Sequence, residues 1–272
     1  MDITLEGVGF DYPGGVRALD GVDLAIAAGE SVAIIGANGS GKTTLARHLV
    51  GLLRPTRGRV IVDGIDAAKR RVAELAACVG LCFADPESQV FSRDVRGEVE
   101  FGPRQLGFSE ERRAHAVAAA LEAVGLADAR ATHPHDLGEA RRKLLAIAAV
   151  LAMETPVLVF DEPTVGLDAG AGERVMRLMA ELRERGRSVI ATSHDMRFVA
   201  ESFARIVVLH EGRITLDAPP EAAFAPAAWP TLRSSGLEPP FAAVLGARMG
   251  LGATPTEAAL LAAARAAARG GQ

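Results

Sequence analysis

Residues 36 to 43 read Gly36-Ala37-Asn38-Gly39-Ser40-Gly41-Lys42-Thr43, and glycines, a lysine and a hydroxyl at this spacing can do phosphate chemistry. Glycines let the backbone curl so that successive N–H groups point at one anionic group. A helix opening at Lys42 adds the positive end of its dipole at the same point. The pattern Gly36-x-x-x-x-Gly41-Lys42-Thr43 is a P-loop match, with phosphate expected on Asn38, Gly39, Ser40, Gly41, Lys42, Thr43 and Thr44. Lys42, expected at the surface, reaches the β- and γ-phosphates, and the Thr43 hydroxyl ligates Mg²⁺. Val157-Leu158-Val159-Phe160 is an unbroken apolar run ending in Asp161-Glu162. A carboxylate at the end of such a strand holds Mg²⁺ through water, which fits Asp161 opposite Thr43. Glu162, one residue on, points differently and can polarise an attacking water as general base. His194, in Thr192-Ser193-His194-Asp195, comes after the P-loop and the acidic pair in the order this chemistry needs. It is placed to contact the γ-phosphate or the water.

Strands must carry these groups. Val32 to Ile35 is a buried apolar run leading into the P-loop, and the run before Asp161 reads as a parallel strand covered on both faces. Ile3, Leu5, Val8 and Phe10 alternate roughly and Val22, Leu24 and Ile26 cleanly, so both stretches read as half-buried antiparallel strands. Between them, Phe10-Asp11-Tyr12-Pro13-Gly14-Gly15 is a turn carrying an aromatic ring. Tyr12 there either stacks on adenine or packs against its own turn, and its position leaves both open. A helix from Lys42 to about Leu53, a hairpin around Asp63-Gly64, a short helix near 67–77 and a strand Val79 to Phe83 follow. Residues 85–155 show helical patterns, Ser109 to Val124 and Ala140 to Met153, and no strand, so they read as an inserted helical lobe. After 157 the α/β alternation resumes: helix Ala171 to Arg185, strand Ser188 to Thr192, helix Met196 to Phe203, strands Ile206 to His210 and Arg213 to Leu216. Beyond Asp217 prolines break the pattern, until a last helix from Pro255 to Arg269. Thr254 and Glu257 form its expected capping box, with Pro255 at the first position and Gly270 past the end.

The 272 residues, 49% apolar and 24% charged with a formal charge of −4, describe a globular α/β chain of one or two domains. The acidic balance argues against a nucleic-acid partner. Cys78 and Cys82 sit in one strand, roughly 13 Å from end to end, too far apart for a disulfide. They read as reduced core residues of a cytoplasmic protein, with a metal pair as the alternative. No signal-peptide pattern is read, and the longest uncharged apolar run, Leu144 to Met153, is far short of a membrane span. Service to a membrane would therefore pass through partners.

Tyr12, the P-loop, Asp161-Glu162, Gly166-Leu167-Asp168 and His194 in this order resemble the ATPase subunits of ABC transporters, over residues 1 to about 216. The resemblance implies a RecA-like core with an N-terminal antiparallel β subdomain, a helical lobe facing a membrane partner, and ATP and Mg²⁺ as cofactors. It also implies a second ATPase subunit, a homodimer being favoured over a heterodimer. Each nucleotide then lies between one chain's Walker A loop and the other's signature helix, on the inner face of the cell membrane.

Asp85-Pro86-Glu87-Ser88-Gln89-Val90-Phe91 with Glu100-Phe101-Gly102-Pro103 is similar to the ATPases of energy-coupling factor importers. That likeness implies a membrane coupling protein bound through about residues 85–103, with Val90 and Phe91 as exposed apolar anchors because the lobe has little core of its own. Cobalt or nickel is the implied cargo, and a vitamin the next. Residues 217–272, including Gly236-Leu237-Glu238-Pro239-Pro240-Phe241, resemble that family's dimerisation extension. A low-turnover regulatory subunit and a soluble non-transport ATPase are the alternatives. Two positions depart from the pattern. The expected Q-loop glutamine is Ala84, and the signature reads Leu137-Gly138-Glu139-Ala140-Arg141, with Arg141 and Arg142 available to offset the charge of Glu139.

Overall fold

A computed structural model of the chain describes residues 1–270. Its central layer is a six-stranded sheet that owes its position to strands with no polar face. These are β3 (Ser31–Ile35), β7 (Val157–Asp161) and β8 (Ser188–Ser193), buried along their whole length. Alternate residues on such a strand point to opposite sides, so both sides must be covered. Val32, Ile34, Val157 and Val159 pack into one core, while Ala33, Ile35, Leu158 and Phe160 pack into another across the sheet.

The first core is closed by α1 (Lys42–Leu49), through Leu45 and Leu49, and by a four-stranded antiparallel sheet lying over it. That sheet contains β1 (Ile3–Asp11), β2 (Arg17–Ile26), β4 (Arg57–Val62) and the two-residue β5 (Ile65–Asp66), in the order β2-β1-β4-β5. The short α2 (Val72–Ala76) joins it to β6 (Val79–Cys82).

The second core is closed by the inserted helices α3 (Val95–Gln105), α4 (Glu110–Val124) and α5 (Glu139–Leu151), together with α6 (Ala169–Glu184) and α7 (Met196–Ser202). Val90, Val95, Val99, Val117, Leu121 and Leu145 bury there, in continuity with Phe160 and Leu158. The lobe therefore shares the core of the sheet. The expectation that Val90 is an exposed anchor is corrected: it is 6% exposed, against 64% for Phe91. Caps bound the helices as polar side chains require: Asp94 Oδ1 accepts from Gly97 N at 2.7 Å, Ser109 Oγ from Arg112 N at 3.3 Å and Asp168 Oδ1 from Ala171 N at 2.8 Å.

With β9 (Arg205–His210) and β10 (Arg213–Ala218), the strand order is β10-β9-β3-β8-β7-β6. All neighbours pair in parallel except β10 with β9. The carboxyl ends of β3, β7 and β8 are thus flush, where open α/β sheets bind ligands.

After β10 come α8 (Pro220–Ala223), α9 (Trp229–Ser234), α10 (Phe241–Arg248) and α11 (Glu257–Gly270). The expected start of the last helix is corrected. Thr256 Oγ1 accepts from Ala259 N at 3.1 Å and so caps α11, whereas Thr254 is buried and donates to Ala242 O of α10 at 2.8 Å. Pro255 lies before the helix, and Gly270 ends it rather than following it. A threonine just before a proline and one just after it offer the same sequence signal, and the tie to α10 decides between them.

Phe160 is among the largest fully buried side chains, on a strand paired on both sides and packed against the lobe. Phe160→Ala should cost about 3–5 kcal/mol of unfolding free energy. Urea titration would show this as a lower midpoint with little change in slope.

Candidate functional site

The P-loop geometry follows from its glycines. Gly41 has φ +107°, and a β-carbon there would strike the Ala18 carbonyl, so only glycine lets the chain enter α1. Asn38 and Gly39 lie exposed at the crest, and Ser40 is buried. Lys42 is also buried, which corrects its expected surface position. Its Nζ donates to Gly36 O at 2.7 Å and Ala37 O at 3.1 Å and stands 3.8 Å from Glu162 Oε1. Burial pushes the Lys42 ammonium pKa down, while Glu162 and Asp161 pull it back up.

Asp161, 2% exposed, ends β7. Thr43 Oγ1 donates to its Oδ1 at 3.2 Å, and Thr192 Oγ1, from β8, donates to the same oxygen at 2.5 Å. Since β8 lies between β3 and β7, the Thr192 hydroxyl spans the gap between the P-loop strand and the acidic strand. Glu162 has φ +49°, a left-handed conformation that costs a non-glycine residue about 1 kcal/mol. Its N–H offsets this by donating to Thr192 O at 3.1 Å and Thr192 Oγ1 at 3.0 Å. The reversed backbone turns the Glu162 side chain back over the strand ends. There Glu162 Oε2 meets His194 Nδ1 at 3.0 Å and Oε1 faces Lys42.

The fold thus gathers Lys42, Thr43, Asp161, Glu162 and His194 at one place, although they span more than half of the sequence. Oxygen donors from Thr43 and Asp161 make a hard-ligand pair of the kind Mg²⁺ takes. Tyr12 lies alongside: its hydroxyl is 3.0 Å from Thr44 Oγ1, and its ring meets Phe10 edge-on at 4.9 Å.

The model of the family described as ABC transporter matches residues 19–165, more than half of the chain. The chain belongs to the ABC transporter family. The energy-coupling factor transporter ATP-binding protein EcfA of Methanothermobacter thermautotrophicus is 39% identical to it over 220 residues, 80% of this chain and 71% of that protein. The cobalt import ATP-binding protein CbiO of Syntrophus aciditrophicus is 40% identical over 245 residues, 89% of this chain and 86% of its own length. The structure of cbiO1 from Clostridium perfringens, part of the ABC transporter complex cbiONQ, matches with a TM-score of 0.74 and 33% identity, covering 89% of this chain and 97% of that one. Some relatives are longer, and this chain spans 38% or 39% of three of them. As an ABC cassette the chain is an ATP-binding, ATP-hydrolysing transport subunit.

In ABC terms, Glu139 of the altered signature leans over the chain's own D-loop, 3.0 Å from where a β-carbon on Gly166 would stand. Arg141 and Arg142 do not neutralise it. Arg141 pairs with Asp128 at 2.7 Å, and Arg142 pairs with Glu87 at 2.5 Å and donates to Leu137 O at 3.1 Å. The Q-loop position, Ala84, offers only its backbone. Gln89 braces this loop, accepting from Phe83 N at 3.0 Å and reaching Ala146 O of α5 at 3.4 Å. The buried Glu98 carboxylate accepts from Phe91 N at 3.0 Å and Ser92 N at 2.7 Å. Sequence reasoning missed Thr192 and Glu98, and also the 2% exposed Lys143 of α5, whose Nζ donates to Phe83 O at 3.2 Å. The available signals were a hydroxyl at the end of a buried strand and lone charges inside apolar helical faces.

Thr192→Val keeps the shape and removes the hydroxyl shared by Asp161 and Glu162. Steady-state hydrolysis should fall by about 10–100-fold, as when a group orienting a ligand is lost. Titration with a fluorescent ATP analogue should find affinity changed by less than about threefold, since the phosphate-facing P-loop donors are untouched.

Proposed function

We propose that this chain powers an energy-coupling factor-type importer, binding MgATP on its P-loop and passing closure of an ATPase dimer to a membrane coupling protein. The convergence of Lys42, Thr43, Asp161, Glu162 and His194 on one strand-end site carries this reading. Asn38, Gly39, Ser40, Gly41 and Thr44 offer backbone donors to the phosphates, and Lys42, steadied by two loop carbonyls, presents its charge to the β- and γ-phosphates. Tyr12, tied to Thr44 and packed on Phe10, would offer its remaining ring face to the adenine. Glu162 takes a proton from the attacking water, and His194, on its other oxygen, holds the carboxylate in position. Thr43 and Asp161 are the residues that would hold Mg²⁺, whose charge offsets that of the phosphates.

The membrane contact lies on the lobe. Phe91, exposed and edge-on to Phe101 at 4.8 Å, stands over an apolar groove lined by Leu52, Val72, Phe83 and Met153. A short helix end with apolar side chains from the coupling protein fits there. In the extension, residues 217–272, exposed Phe241 of α10, Met249 just after it and Leu261 of α11 suit pairing with a second copy. No helix of the described residues is long and apolar enough to cross a membrane, in keeping with peripheral attachment at the cytoplasmic face. Likeness to EcfA and CbiO supports a micronutrient cargo, cobalt or nickel before a vitamin such as biotin. Ala84 and the Leu137–Arg141 signature favour one further reading, a partner with slow turnover of its own.

Hydrolysis measured on the purified chain with and without its coupling protein tests the assignment, and the coupling protein should raise the rate. Phe91→Ala should abolish that stimulation while leaving the melting temperature within about 2 °C, because an exposed ring contributes little to the fold. Gln89→Ala should instead lower the melting temperature, by loss of two hydrogen bonds contributing about 1 kcal/mol each.

A further inference from the structure

Lys143 is a charged side chain in a buried stretch of α5 that is otherwise apolar from Leu144 to Val150. It is 2% exposed, and among the described residues no carboxylate oxygen stands within ion-pair distance of it. Its Nζ donates to Phe83 O at 3.2 Å and to Ala84 O. A buried ammonium held only by carbonyls is costly, and a hydrophobe of similar length would fill the slot more cheaply.

Its location suggests what the charge does. β6 runs parallel to β7 with Cys82 level with Phe160, so Phe83 and Ala84 leave the sheet beside Asp161 and Glu162. Burial pushes the Lys143 pKa down, and Cys82 first, then the carboxylates of Asp161, Glu162 and Asp85, pull it back up. Ala84 has no polar side chain to put there. Two of the three ammonium donors are taken by the loop, which leaves one.

We propose that Lys143 is a positioning residue for ATP hydrolysis. From the lobe helix it holds the Phe83–Ala84 loop against the strand ends and keeps positive charge beside Asp161 and Glu162, where Ala84 has no donor. Because Lys143 belongs to α5 and its acceptors belong to the loop that leaves β6, a shift of the lobe is felt at the acidic pair. The inference rests on the ATPase assignment, which wild-type turnover tests by itself.

The test uses the purified full chain with Lys143→Met, Lys143→Arg and Lys143→Met combined with Ala84→Gln. Lys143→Met should lower kcat by about tenfold with KM for ATP and affinity for a fluorescent ATP analogue within about threefold of wild type. Its melting temperature should equal or exceed wild type, since an unpaired buried charge is gone. Lys143→Arg should keep more activity than Lys143→Met, and Ala84→Gln should recover at least about threefold in the Lys143→Met background. Wild-type turnover in Lys143→Met would overturn the proposal. So would parallel loss of kcat and melting temperature with no recovery by Arg or by Ala84→Gln. If Lys143→Met does not fold, Lys143→Gln replaces it; failure of both to fold would make Lys143 a core residue only and overturn the proposal equally.

Discussion

A buried carboxylate must be hydrogen-bonded or it destabilises the fold by several kcal/mol. Asp161 meets this constraint through two hydroxyls, Thr43 from the P-loop helix and Thr192 from β8. Neither can reach it unless three strands end at the same level, so the register of the sheet and the chemistry at its edge are one requirement. Val32 pairs with Ile190, and Val159 pairs with Ile190 from the other side, which sets that level. The left-handed turn at Glu162 depends on the same threonine. Thr192 thereby fixes one carboxylate directly and the next through its backbone.

Two further layers hold this edge in place. The antiparallel sheet reaches it through Tyr12 and Thr44, at the start of the helix that follows the P-loop. The C-terminal helices reach it from the opposite side: Leu237 and Pro239 share a cleft with Ala37, Asn38 and His194, and Glu257 stands 3.6 Å from Arg197. Exposed pairs of this kind contribute little stability. Their effect is orientation, since they link the extension to the segment that carries His194.

The parts of the fold that could be read from sequence are those whose signal is local. The apolar runs into Gly36 and Asp161 can only be covered strands, so the order of elements emerged with nearly correct bounds, and the residues singled out by spacing lie together at one strand-end edge. Parts that depend on which way a side chain turns did not. Val90 and Phe91 are adjacent and equally apolar, yet one enters the core and the other faces solvent, because Glu98 and Gln89 fix the backbone between them. Arg141 and Arg142 looked free to offset Glu139, but acids distant in sequence, Asp128 and Glu87, claim them. Nothing local in the sequence shows the lysine in α5 to be enclosed; the approach of the chain leaving β6 does so.

The central claim is that Glu162 acts on water, while the phosphates are held by the P-loop backbone and Lys42. The most direct measurement is the oligomeric state of Glu162→Gln, by light scattering with MgATP and with MgADP. The account predicts a stable dimer with MgATP, monomer or weak association with MgADP, and hydrolysis reduced by at least about 100-fold. Normal hydrolysis by Glu162→Gln, with no ATP-dependent dimer, would contradict it.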